Sequence, residues 1–428
     1  MYKNLANKYF FILFSILPIT IIVGPMISLI NVLIIGLSFL IYTAYIKEWS
    51  WLRDKKIQLL FILYFYLIFN SFIAENFSIS SNRNFGFIRF IIFFAAFNYF
   101  FFNYKSFYKI FIIWTLVIVA VVLDIYYESF VGHNIIGFGA GDRIFSFFNK
   151  PIAAGYLLSF YLIIISFLFE LSKNKNHLFK YLIFFISIIF LLSIVITGER
   201  SNTIKAILVF IFFYTFITNF SFKQKAISIV GMLLIISAVF INSSFLKMRF
   251  LGQFLINFQT KDQIISFYDK NIYFNLYRSG LEVFKKYPYF GAGNKNYGFE
   301  TCWEKFEKET FIQWTDKYLK QLNEIYNPKY VCNSHPHQIY FEFLAEHGIL
   351  GTIICLFIFF KLFFDLLRKI DITKNLIQLA SFLYILSIFI PILPSGAFFS
   401  DSLLTLFFIN FSLLFCINEK SNIFIKKN

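Results

Sequence analysis

The sequence predicts an all-α polytopic membrane protein with about twelve transmembrane helices and one large outer loop before the tenth. Three observations lead there. Of 428 residues, 59% are hydrophobic and only 14% charged, too little polar surface to cover a water-soluble globule. Apolar runs of roughly twenty residues, the length a helix needs to cross a bilayer, recur along the chain. Lys and Arg cluster between those runs, densely in one set of connections and sparsely in the other. The net charge of +16 therefore does not predict a nucleic-acid partner; the bilayer itself is the expected partner.

The apolar runs lie at residues 9–23, 26–46, 57–74, 85–102, 107–127, 152–170, 178–197, 203–218, 226–242, 339–367, 376–393 and 403–417. Pro18, Gly24 and Pro25 interrupt the first. With the N-terminus inside, the inner connections carry Lys47, Arg53, Lys55 and Lys56, then Lys173, Lys175 and Lys180, then Arg368, Lys369 and Lys374. The short outer ones carry only Arg83, Arg143, Lys150 and Arg200, so both termini are expected in the cytoplasm. The first basic residues precede a run without a small-residue cleavage site, and no cleaved signal peptide is expected. Three regions follow: 1–242 with nine spans, 243–337 as the large outer loop, and 338–428 with three spans and a tail.

The outer loop is too long to be bare. Residues 273–284 read as an amphipathic helix, followed by Pro288 and the turn Gly291-Ala-Gly293, while Trp303 and Trp314 suit a membrane interface. Cys302 and Cys332 can pair if that side is oxidising, with free thiols as the alternative.

The stretch Asn333-Ser-His335-Pro-His337-Gln-Ile is the place where ionisable groups meet the mouth of an apolar run. Ser334 or His335 is expected to cap the helix, with Pro336 in its first turn. Two histidines would then sit at a helix N-terminus, whose field attracts phosphate and disfavours imidazolium, so each tends to stay a neutral base. Gln338, Glu342 and Glu346 are spaced by four and share a face. His335 falls near that face on an ideal helix, and His337 off it. A polar helix start and a satisfied stripe between helices is the alternative reading. Charges within other spans converge on the outer side: Arg89, Asp124, Glu128, Glu199, Arg200, Lys205 and Asp401. They suggest an outward-opening polar cavity, although Arg89, Glu128 and Lys205 taken singly read as interfacial anchors. No Asp-x-Asp, Walker or zinc-spaced pattern occurs, so no metal and no cofactor is expected.

The histidine stretch with Leu344-Ala-Glu346-His-Gly348-Ile-Leu-Gly351 resembles the signature of the O-antigen ligase and polymerase superfamily. Thr197-Gly-Glu-Arg200-Ser201 is similar to that family's turn before a span. Tyr277-Arg278 with Pro288-Tyr-Phe-Gly291-Ala-Gly293 is similar to its loop helix and Pro-x-x-Gly-x-Gly. Arg143 sits where the family has Arg before Phe and Asn-Pro; here Lys150 separates Asn149 from Pro151. His347 departs from the pattern. The resemblance covers roughly 143–351.

The resemblance implies a bacterial inner-membrane enzyme with a periplasmic active face. Such an enzyme moves a glycan from an undecaprenyl diphosphate carrier to an acceptor hydroxyl. Lipid A–core is the acceptor expected first, because the histidine block followed by Glu-x-Gly-x-x-Gly is most typical of the ligase branch. Polysaccharide polymerisation and protein O-glycosylation are the alternatives within the family; a transporter of lipid-linked sugars is the alternative outside it. His337 aligns with the family's histidine and is the expected base, with His335 as the alternative. Glu346 joins it as a second catalytic candidate, orienting a partner or binding sugar hydroxyls. Arg200, Arg278 and Arg143 are expected on the diphosphate, whose oxygens match the guanidinium fork. His335 and Glu342 complete the expected substrate-binding set.

Overall fold

The computed structural model describes residues 2–103, 107–139, 143–217, 220–252, 271–306 and 330–424. Trp314 and the Gly141-Asp142 part of the Arg143 motif lie outside them. The described residues are helical and contain no strand. Helices α1 (Tyr2–Ser15) and α2 (Leu17–Val23) meet at a 41° bend, with Pro18 opening the second. Gly24, at φ +144°, then lets α3 (Pro25–Ile46) start on Pro25. Asp54 caps α4 (Lys55–Phe72), and Asn76 caps α5 (Phe77–Asn84). There follow α6 (Ile88–Asn103), α7 (Phe107–Val131), α8 (Ala153–Leu171) and α9 (His177–Ile196). Next come α10 (Arg200–Phe216) and α11 (Phe222–Asn242), the latter opened by a Ser221/Gln224 capping box.

The loop region supplies α12 (Ile272–Lys286) and α13 (Tyr297–Phe306). The chain ends with α14 (Ile339–Lys369), α15 (Leu376–Ile388) and α16 (Asp401–Cys416). Each of the twelve apolar runs is thus helical. Eight helical stretches among the described residues are long and apolar enough to cross a membrane, or nine with the bent α1–α2 pair. Helices α10, α15 and α16 have 17, 13 and 16 residues. The α15 helix stops early because Pro391 and Pro394 follow and cannot donate to a continuing ladder.

Helix α8 is sheathed on nearly all sides, from Ala153 to Phe169, and sits at the centre of the bundle. Phe rings fill the grooves around it: Phe90 stacks on Phe408 at 5.2 Å and Phe407 on Phe411 at 5.6 Å. Polar pins cross between helices, with Asn410 donating to the Ser159 carbonyl at 3.1 Å and Gln378 to the Leu414 carbonyl at 2.9 Å. Such bonds hold helices together where apolar surface gives no preference over lipid. By contrast α11 buries only Met232 and Ile236.

Several charges expected to line an open cavity instead fasten loops. Asp124 accepts from the Ile135 amide and the Ser146 hydroxyl, and Glu128 from the amides of Phe145 and Ser146. Both carboxylates are buried. Asp401 pairs with Arg83 and Arg89.

Candidate active site

The helix that follows the histidines starts later than the sequence suggests. Gln338 is its cap, accepting from the amides of Tyr340 at 2.8 Å and Phe341 at 3.1 Å. His337 has φ +57°, a left-handed conformation that stops a helix from extending backward through it. His335, Pro336 and His337 therefore lie in the preceding loop, not in a first turn, and neither Ser334 nor His335 caps. His335 therefore does not share the helical face of Gln338, Glu342 and Glu346. The two imidazoles lie 4.0 Å apart between centroids. His335 Nδ1 lies 3.1 Å from the Ser334 hydroxyl, and its Nε2 is buried without a hydrogen-bond partner. Burial lowers both pKa values. His335 falls to about 3, with the nearby His337 and Lys295 adding to the effect. Both rings are neutral at pH 7.

This loop is stapled to α13. Cys302 and Cys332 form a disulfide. Tyr297 donates to the Ser279 hydroxyl at 2.8 Å, and Ser279 accepts from the Val331 amide at 3.1 Å. Replacing Cys302 by Ser is expected to cost about 2–4 kcal/mol, the usual effect of opening a native crosslink. Thermal melting with thiol labelling checks this: Cys332 should become reactive, while Cys355 and Cys416 stay buried and silent.

Below the histidines α14 is broken. Gly348 has φ +62° and ψ −169°, outside helical space. The Pro288–Gly293 turn fills the break. The amides of Ala292 and Gly293 donate to the carbonyls of Ala345 and Glu346 at 2.9 and 3.0 Å, and those of Ile349 and Leu350 donate to Pro288 and Tyr289 at 2.8 and 3.1 Å. Backbone groups freed by the break are thus paired, which a membrane-embedded break requires. The approach leaves no room for side chains: a β-carbon on Gly291 would sit 2.2 Å from the Glu346 carbonyl carbon, and one on Gly348 2.4 Å from that of Tyr289. Asn70 braces the joint, donating to the Phe290 carbonyl at 3.1 Å and the Glu346 carbonyl at 3.3 Å.

Glu342 and Glu346 are both fully buried. Each Glu342 oxygen accepts from the Phe398 amide at 3.0 Å, and Lys295 lies 3.7 Å away. Glu346 lies in the field of the same Lys295 and beside the backbone amides of Lys295 and Tyr297. The Glu342 carboxylate, expected on substrate, is enclosed and accepts from the α15–α16 connection. Glu346 is equally enclosed. Lys295 carries no sequence signal beyond its place after the glycine turn.

The connection at residues 389–400, which no motif marked, joins the pieces. The Pro394 carbonyl accepts from Ser201 at 2.5 Å and from Lys205 at 3.2 Å. The next residue, Ser395, donates its amide to the His337 carbonyl at 2.8 Å. The Ile392 carbonyl accepts from Tyr277, whose ring stacks on Phe341 at 5.0 Å. The Arg200 end of α10, the histidine loop and the residue before Arg278 are therefore held by three positions of one short segment. Arg143 comes in beside them: the Ile144 amide donates to the Thr197 carbonyl at 3.4 Å. Arg278 is exposed on α12 and Arg200 half-buried at the start of α10.

Residues 184–356 match the family model described as O-antigen ligase. Over that stretch the chain is similar to that family. The match contains the Arg200 turn, Arg278, both histidines and the broken helix through Gly351; it leaves out Arg143 and residues 389–400. A comparison with curated proteins finds no match. The match supports glycan transfer of the O-antigen ligase type in general, with a lipid-linked glycan and an acceptor as partners.

Proposed function

We propose that this chain is a member of the O-antigen ligase superfamily and transfers a glycan from undecaprenyl diphosphate to a hydroxyl of lipid A–core at the periplasmic face of the bacterial inner membrane. The observation that carries the reading is the bridging of Ser201 and His337 by adjacent residues Pro394 and Ser395. It supports a reading in which cations and a neutral base act at one end of the bundle. In the reaction, the acceptor oxygen attacks the anomeric carbon of the glycan. The bond from that carbon to the phosphate oxygen breaks, and undecaprenyl diphosphate leaves. The hydroxyl proton passes to the His337 imidazole. Arg200, Arg143 and Arg278 neutralise the departing diphosphate.

His337 is the better base of the pair. A ring whose pKa lies near 3, as for His335, holds a proton too weakly to draw it from a hydroxyl. His335 instead lines the substrate side of the loop with its neutral, partly exposed ring. Glu346 supports the joint beneath the histidines and does not meet substrate. The paired Cys302 and Cys332 fit an oxidising compartment, in keeping with a periplasmic loop and cytoplasmic termini.

A lipopolysaccharide gel from cells lacking the gene tests the reading. Bare core, with long polymer stranded on its lipid carrier, is the expected result. Core bearing a single repeat would assign the chain to polymerisation, and an unchanged ladder would refute the lipid A–core acceptor.

A further inference from the structure

The peptide group between Pro394 and Ser395 is gripped at both ends. Its carbonyl accepts from the Ser201 hydroxyl at 2.5 Å and from the Lys205 ammonium at 3.2 Å. Its N–H donates to the His337 carbonyl at 2.8 Å. Ser201 and Lys205 are four residues apart, so one face of α10 presents both. A trans peptide group is planar, and its C=O and N–H point opposite ways. Fixing the carbonyl against α10 therefore aims the N–H at the histidine loop.

From the sequence Lys205 reads as an interfacial anchor, yet the residue is only 4% exposed. Among the described residues no carboxylate answers its charge. A buried ammonium without a counter-charge is costly, and a Met would fill similar space without that cost. What the ammonium adds is polarisation: a cation on a carbonyl draws electrons through the amide and strengthens its N–H as a donor. The receiving residue needs a strong bond. His337 has φ +57°, a conformation that a residue with a β-carbon keeps only where its surroundings impose it. The Ser395 bond falls on the carbonyl of that same residue, so losing it frees the backbone that aims the imidazole.

We infer that Lys205 is a positioning residue for transfer, acting through the 394–395 peptide to hold His337 in the left-handed conformation that presents its imidazole. The inference deepens the proposed function and rests on the reading of His337 as the base.

The test uses the full chain in lipid nanodiscs, with an undecaprenyl diphosphate-linked glycan as donor and lipid A–core as acceptor. Lys205→Met should lower kcat about ten- to hundredfold, the range for a misplaced catalytic group, and leave the donor KM within about twofold. In a His337→Ala background the same substitution should cost almost nothing further, because the residue it positions is gone. Hydrogen exchange at the Ser395 amide should be several-fold faster in Lys205→Met. If that variant fails to fold, Lys205→Gln replaces it and is read the same way, since it keeps an N–H for the carbonyl and loses the charge. Unchanged kcat, a raised KM at full kcat, an equal loss in both backgrounds, or unchanged Ser395 exchange would overturn the inference. His337→Ala transferring at the wild-type rate would remove the base, and the inference with it. A deficient His337→Ala beside an unimpaired Lys205→Met removes the inference alone. If the wild-type chain leaves lipid A–core unglycosylated, the acceptor reading falls and the Ser395 exchange rate decides for or against Lys205.

Discussion

Replacing His337 by Ala is expected to lower glycan transfer about 10²–10⁴-fold, the range for losing a positioned general base, while undecaprenyl diphosphate binding stays near its wild-type strength. The expectation follows from where the residue is held. Its backbone is fixed by Ser395, its left-handed conformation turns it out of the helix below, and its ring stands edge-on to Tyr273 with centroids 6.1 Å apart. Burial lowers its pKa from 6.5, so the ring is neutral and ready to accept a proton at pH 7. The sign of the pH dependence follows. Transfer should fall as the medium is acidified through the lowered pKa, because the ring then arrives already protonated, and should be flat above 6.5. That acid limb should disappear in His337→Ala. Single-turnover transfer across pH, alongside a binding isotherm, measures both effects. Wild-type rates from His337→Ala at equal protein level would remove the base assignment.

Replacing Gly291 by Ala should act on folding rather than chemistry. The residue has φ +74°, and its new methyl would meet backbone atoms of Glu346 and His347 at 2.2–2.5 Å. Backbone cannot swing aside as a flexible side chain can. Strain at positive φ and overpacking together cost about 2–4 kcal/mol. The expected outcome is loss of the monodisperse peak on fluorescence-detected size exclusion and a melting temperature lower by several degrees. Gly231 is the internal control. It lies within α11, where an added β-carbon meets nothing within 4 Å. Gly231→Ala should be neutral or stabilise by up to about 1 kcal/mol, the propensity gain of Ala in a helix.

The contrast between these glycines also marks what the sequence tells a reader. The helices were legible because hydropathy is a local property: runs such as 153–169 declare themselves whatever surrounds them. The amphipathic helix at 273–284 was legible for the same reason and is realised as α12. The glycines at 291, 293, 348 and 351 could be noticed only as a pattern. What they serve, two backbones exchanging hydrogen bonds across a broken helix, is a contact between distant segments with no local trace. The histidines were found but misplaced. Pro336 suits a helix start, and nothing in residue types alone signals that His337 turns left-handed. Residues 389–400 were hidden because backbone carbonyls and amides do the joining there, and every residue type has them. Lys295 was missed because a single cation in a polar loop looks like ordinary solvated charge. The buried carboxylates were over-read: Asp124, Glu128 and Glu342 stand in the membrane region because they fasten loops, not because they face a cavity.

The break at Gly348 also bears on bilayer thickness. Below it α14 runs through residues 349–369, a length of roughly 31 Å at the helical rise, close to the hydrocarbon thickness of an ordinary membrane. Above it, residues 339–347 are locked by hydrogen bonds to a turn of the large loop. A continuous 31-residue helix would answer a thinner or thicker membrane by tilting as one rod, carrying its upper end with it. A jointed one tilts from the joint downward. The histidine loop then keeps its height relative to the arginines when the lipid around the protein changes, and reactivity is insulated from membrane composition by a glycine.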